Sequence, residues 1–138
     1  MKIKASSVAI NGRAYMITGE SGAGKSSLAL ALINRGGQLI SDDVTEVRDN
    51  IAYAPRTHQG WIEVRGIGLV SGLPVCSSAK IGAFIRLCEN KPERLPEADM
   101  SKIPEFWLWT QDKNQADKVL VIDSVLAGRL KLESGKEL

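Results

Sequence analysis

The chain has 138 residues, 43% of them hydrophobic and 25% charged, the make-up of a single soluble globular domain with one core and no room for a second. Its net charge of +2 comes from scattered basic residues, which argues against nucleic acid or an acidic membrane surface as the partner. No apolar run reaches the length of a membrane span and the N-terminal residues carry no signal-peptide core, so the cytoplasm is the expected compartment. Cys76 and Cys88 form no C-x-x-C pair and fit reduced thiols.

In chain order, Ile3, Ala5, Val8 and Ile10 alternate weakly and run into Asn11-Gly12, a two-residue hairpin signal. The expected β-hairpin leads into an apolar strand over residues 14–18. Strong helix formers follow over 26–35, closed by Gly36-Gly37, and residues 38–41 read as a short buried strand ending at Asp42-Asp43. A helix between two strands predicts a parallel βαβ unit with a right-handed crossover and a ligand site at the carboxyl ends of the strands. Residues 44–48, 51–54 and 61–65 are short, β-prone and separated by turn residues, which predicts antiparallel strands. Residues 79–87 are expected to form a helix, and the proline-broken stretch 89–105 a surface loop. Residues 107–109 and 118–122 are read as strands, 124–132 show no clear period, and 133–138 look like a frayed tail.

Gly19-Glu20-Ser21-Gly22-Ala23-Gly24-Lys25-Ser26 match the phosphate-loop pattern G-x-x-x-x-G-K-[ST], between a strand and a helix as the pattern requires. The glycines free the backbone to turn successive N–H groups toward phosphate oxygens, and the helix that starts there adds the positive end of its dipole. Lys25 is the expected point charge on the outer phosphates, Ser26 the expected Mg²⁺ ligand, and Ser27 continues the cradle. Phosphoryl transfer also needs carboxylates, and Asp42 and Asp43 follow a strand where P-loop proteins carry the acid that helps hold Mg²⁺. On a continuing strand the two would point to opposite faces, one to the metal and one to the incoming group. Glu63, in Ile62-Glu63-Val64-Arg65-Gly66-Ile67-Gly68, is either a site carboxylate or the solvent-side partner of Arg65. His58 is read as a solvated loop residue.

Three stretches in this order, residues 19–26, 35–43 and 62–68, resemble the catalytic domain of HPr kinase/phosphorylase in a short form that lacks the N-terminal domain. The resemblance covers residues 3 to about 100. It implies an α/β fold, the P-loop NTPase-like fold related to phosphoenolpyruvate carboxykinase, with a parallel βαβ core and antiparallel hairpins in a mixed sheet. It also implies phosphorylation of a serine of HPr, a sugar-transport phosphocarrier, from ATP or pyrophosphate, and the reverse phosphorolysis. Asp43 would then take the serine proton with Asp42 beside it, Ser26 and Glu63 would be Mg²⁺ ligands, and residues from Glu63 onward would meet the acceptor. Two departures stand out. Lys4 occupies a position where the family commonly has histidine, and a fixed cation near Asp43 would favour the base over the acid and so weaken phosphorolysis. The Pro-Gly-Arg-Asn segment and the final assembly helix of full-length members are not found after Ala98, which puts the family's hexamer in doubt. A nucleotide-binding regulatory module with decayed catalysis and a small-molecule P-loop kinase are the competing readings.

Overall fold

The computed structural model describes residues 1–91 and 102–133. Strands β1 (Lys2–Ile3), β2 (Ser6–Ile10) and β3 (Arg13–Gly19) precede helix α1 (Lys25–Ile33). After it come β4 (Gln38–Ser41), β5 (Thr45–Arg48), β6 (Ile51–Tyr53), β7 (Ile62–Val64), β8 (Gly68–Val70), β9 (Ser78–Cys88) and β10 (Glu105–Trp109), then helix α2 (Gln115–Leu126). Strands β7 and β8 form a separate two-stranded antiparallel sheet, and the other eight join in one mixed sheet.

The main sheet runs β1-β5-β6-β9-β3-β2-β4, with β10 alongside β9. Asn11 and Gly12 take φ of 50° and 79°, the paired positive values of a tight hairpin turn, and β2 pairs antiparallel with β3 as expected. Strands β3 and β4 do run in the same direction across α1, but β2 lies between them and is antiparallel to both. The parallel neighbour of β3 is instead β9, in register from Arg13↔Lys80 to Gly19↔Leu87.

Residues 79–87 therefore belong to a central strand, not to the expected helix. Their burial alternates without a break, Ala79, Ile81, Ala83, Ile85 and Leu87 being the inward residues. The register against β3 shifts at Gly82, the residue skipped between the Ala14↔Ile81 and Tyr15↔Ala83 pairs, and this one extra residue sends Ala79 and Ile81 into one core and Ala83, Ile85 and Leu87 into the other. The second correction is reciprocal. Residues 118–122 lie inside helix α2, whose buried positions Ala116, Val119, Ile122 and Asp123 recur at helical spacing. The β-branched run there gives way to the packing of that face on the sheet. The strand read at 107–109 is present in β10, parallel to β9. The expected tail lies outside the described residues from 134 onward, as do residues 92–101 of the expected surface loop.

Two cores result. One, between the sheet and the two helices, buries Tyr15, Ile17, Leu28, Leu32, Ile62, Ile85 and Val119. The other lines the opposite face with small side chains such as Ala5, Ala9, Ala14 and Ala52 around Met16 and Ile40, where β4 also touches β6. Full burial of a side chain such as Ile17 or Leu32 contributes about 1.5–3 kcal/mol. Helix α1 stops where Gly36 (φ 98°) donates to the Ile33 carbonyl and Gly37 to that of Leu32, a Schellman closure that turns the chain into β4. Cys76 and Cys88 are unpaired. No helix among the described residues is long and apolar enough to cross a membrane.

Candidate functional site

The loop between β3 and α1 is built around three glycines with positive φ: 147° at Gly19, 84° at Gly22 and 99° at Gly24. At Gly19 the need is also spatial, since a Cβ would sit 3.0 Å from the Leu87 carbonyl oxygen. Among residues 21–24 only Ala23 donates its N–H to a described backbone carbonyl, that of Glu20 at 3.0 Å. Helix α1 begins at Lys25 with no side-chain cap and no acidic residue in its first turn, so its N–H groups and positive pole are uncompensated. That combination receives an anion. Lys25, nine-tenths buried, bends back to donate to the carbonyl oxygens of Gly19 and Glu20, both at 3.0 Å.

Strand β4 ends at Ser41, so Asp42 and Asp43 are not on opposite faces of an extended strand. They form a corner in which Asp43 takes φ of 69°, the left-handed region where an L-residue needs support. The support is a set of buried hydroxyls. Ser6, on β2 and inaccessible to solvent, donates to Asp42 Oδ1 at 2.9 Å and accepts the Asp43 N–H at 3.3 Å. Ser41 reaches across the corner to the Val44 carbonyl at 2.5 Å, and Ser7 bonds Thr45 at 2.8 Å just behind it. The motif reading missed Ser6. The available signal was a polar pair, Ser6-Ser7, inside an otherwise apolar strand.

The two carboxylates have different surroundings. Asp42 also accepts the Ser26 hydroxyl at 2.7 Å on Oδ1 and the Glu63 N–H at 3.2 Å on Oδ2, so it ties together the phosphate loop, β2 and β7. Asp43 is exposed, and its carboxylate has no hydrogen-bond partner among the described residues. An open cleft of about 680 Å³ gathers these groups. Ser21, Gly22, Gly24, Lys25, Ser26 and Ser27 line one side, Asp42 and Asp43 the base of the corner, and Glu63 to Gly68 the other side.

Of the residues selected from sequence, Gly19 and Glu20 contribute the carbonyls that hold Lys25, and Ala23 packs on the core beneath the loop. Lys4 does not line the cleft; it is exposed in the bend between β1 and β2 and makes no salt bridge with a described residue. His58 is exposed and stacks edge-on against Trp61, ring centroids 4.6 Å apart. Glu63 does not pair with Arg65; its side chain is exposed at the cleft.

No three histidine, cysteine or carboxylate side chains converge among the described residues. Ser26 Oγ and Asp42 Oδ1 are hard oxygen donors 2.7 Å apart at the mouth of the phosphate loop. Such a pair fits Mg²⁺, which takes one or two protein oxygens and completes its octahedron with water and phosphate.

A mixed sheet with a glycine-built phosphate loop between a central strand and its helix defines a P-loop protein. A model of the HPr Serine kinase C-terminal domain matches residues 1–86. A curated HPr kinase/phosphorylase of Clostridium botulinum is 46% identical over 116 residues, 81% of this chain and 34% of its own length. One from Shouchella clausii is 37% identical over 90 residues, 60% of this chain and 29% of its own. The solved structure of the Hpr(Ser) kinase/phosphatase from Coxiella burnetii superposes with a TM-score of 0.70 at 30% identity, covering 97% of this chain and 99% of that one. The chain belongs to the HPr serine kinase family, and it spans about a third of the length of the curated relatives it matches.

Proposed function

We propose that the chain is an ATP-dependent serine kinase of the HPr type, acting in the cytoplasm on a serine of an HPr-like phosphocarrier. The observation that carries this reading is the unequal state of two adjacent carboxylates, Asp42 held by three donors and Asp43 exposed and unpartnered. In this reading the loop N–H groups and Lys25 bind the phosphates and fix them in line with the acceptor. Ser26 and Asp42 would hold Mg²⁺, with Glu63 available from the opposite wall, and the bound ion would neutralise charge on the transferring group. Asp43 accepts the proton of the serine hydroxyl as its oxygen attacks. The hairpin from Glu63 to Gly68 borders the entry of the acceptor.

The reverse transfer needs Asp43 to return a proton. Lys4 is two residues before Ser6 in the chain but outside the cleft, so its replacement by histidine tests whether this position bears on direction at all. Radiolabelled ATP supplied with a serine-bearing HPr tests the assignment. Acid-stable phosphoserine that disappears in Lys25→Ala and Asp43→Asn supports it. ATP binding with no transfer indicates a regulatory module instead, and transfer to a metabolite but not to protein indicates a small-molecule kinase.

A further inference from the structure

A second cleft, of about 640 Å³, lies beyond the same corner. Ser41 and Val44, which flank the two aspartates in the chain, line this cleft, while Asp42 and Asp43 line the first. The corner is thus a ridge between the two, and Val44 is 42% exposed on it.

The sheet register explains what the second cleft presents. Lys2 pairs with Glu46, and Glu46 with Tyr53, while the alternating residues Ile3, Val47 and Ala52 turn into the core of small side chains. The row Lys2, Glu46, Tyr53 therefore faces outward, joined by Arg48 on the same face of β5 and by Arg56 beyond β6. Three cations stand against one carboxylate, and no described carboxylate lies within salt-bridge distance of Lys2, Arg48 or Arg56. The Arg48 guanidinium sits 4.2 Å from the centre of the Tyr53 ring. Stacking fixes the plane of the guanidinium and leaves its N–H edge free, the arrangement that receives a carboxylate in two parallel hydrogen bonds.

We propose that this cleft reads an acidic side chain on the acceptor protein, a few residues from the serine that is phosphorylated, an inference that rests on the kinase reading above. Three features select that occupant. The cationic excess calls for a negative charge. Tyr53, Val44 and Pro55 give the cleft apolar walls that suit the methylene stem of a glutamate or aspartate in a peptide better than a bare ion. Position supplies the third: an extended segment advances about 3.3 Å per residue, so a chain whose serine meets Asp43 crosses the Val44 ridge within about two to four residues. The cleft is then the specificity half of the site and the phosphate-loop cleft its chemical half.

The test is phosphorylation of purified HPr at low ionic strength by the wild type, Arg48→Gln/Arg56→Gln and Arg48→Lys/Arg56→Lys. The acceptor KM of the glutamine pair is expected to rise about tenfold, with the ATP KM and the kcat at saturating HPr within about twofold of wild type. The lysine pair should recover part of the loss, and added salt should raise the wild-type acceptor KM. An unchanged acceptor KM in the glutamine pair overturns the inference while leaving the kinase reading intact. Wild-type protein that forms no phosphoserine at all overturns that reading and this inference with it. Should the double variant fail to fold, Arg56→Gln alone and the salt series decide, and an acceptor KM that responds to neither overturns the proposal.

Discussion

Strand β3 connects two aspartates that use the same kind of partner to opposite ends. Near its start, Asp123 of α2, only 1% exposed, accepts hydrogen bonds from Tyr15 at 2.5 Å, Asn11 at 2.8 Å and Arg13 at 3.2 Å, with Arg129 3.8 Å away. Past its end, Asp42 accepts from Ser6, Ser26 and Glu63, but beside it Asp43 is left exposed. Burial, reinforced by the hydrogen bond and charge of Asp123, holds the Tyr15 phenol far above its ordinary range, so it remains a donor. The first cluster is closed, and it locks α2 and the β2–β3 turn onto the sheet. The second spends one carboxylate on holding the corner and keeps its neighbour open to the cleft. Closed networks anchor a fold; an open group beside a satisfied one is where chemistry can occur.

Five substitutions would break or sharpen that contrast. In Asp43→Asn, phosphorylation should fall about 10³-fold, roughly 4 kcal/mol of barrier, with the urea midpoint unchanged, because asparagine tolerates the left-handed backbone. Asp123→Ala should do the opposite, losing about 3 kcal/mol of unfolding free energy while activity per folded molecule stays at the wild-type level. A catalytic loss in this variant that exceeds its loss of folded protein would erase the distinction between the two ends of β3. Ser6→Ala should fall between them, with kcat about tenfold lower, the ATP KM little changed and stability reduced by about 1 kcal/mol. Ser6→Thr should restore part of kcat if the hydroxyl positions the corner. Lys4→His should have the smallest effect, about a two- to threefold gain in phosphorolysis relative to phosphorylation, and no gain removes Lys4 from the account of direction.

The parts of the fold that were legible from sequence are those specified locally. The Asn11-Gly12 turn, the glycines of the phosphate loop and the Gly36-Gly37 closure each impose a backbone conformation that few other residues permit. The misread elements depend on long-range partners. Strand β9 keeps its period of two, with Ala79, Ile81, Ala83, Ile85 and Leu87 buried, but the buried set changes core at the Gly82 bulge, and its partners β3, β6 and β10 are distant in the chain or parallel to it. Helix α2 carries Val119-Leu120-Val121-Ile122, a run that reads as a strand until the sheet that buries Val119 and Ile122, and leaves Val121 52% exposed, is known. In the site, the phosphate loop and the acidic corner were visible as motifs. Ser6 was not, because its meaning comes from Asp42, 36 positions away in the chain.

The bonds from Lys25 to its own loop bear on how fast and how tightly an anion is taken up. The ammonium bridges the carbonyls of Gly19 and Glu20, so the loop is braced from within by its own lysine. Binding therefore exchanges one set of oxygen acceptors for another and orders little chain, and the entropic penalty that a floppy loop would impose is largely avoided. A lone phosphate must still displace two good hydrogen bonds to recruit that ammonium, whereas a polyphosphate can settle on the N–H groups first and draw the lysine over afterwards. On the proposed function, this brace would favour longer phosphate chains over a single phosphate.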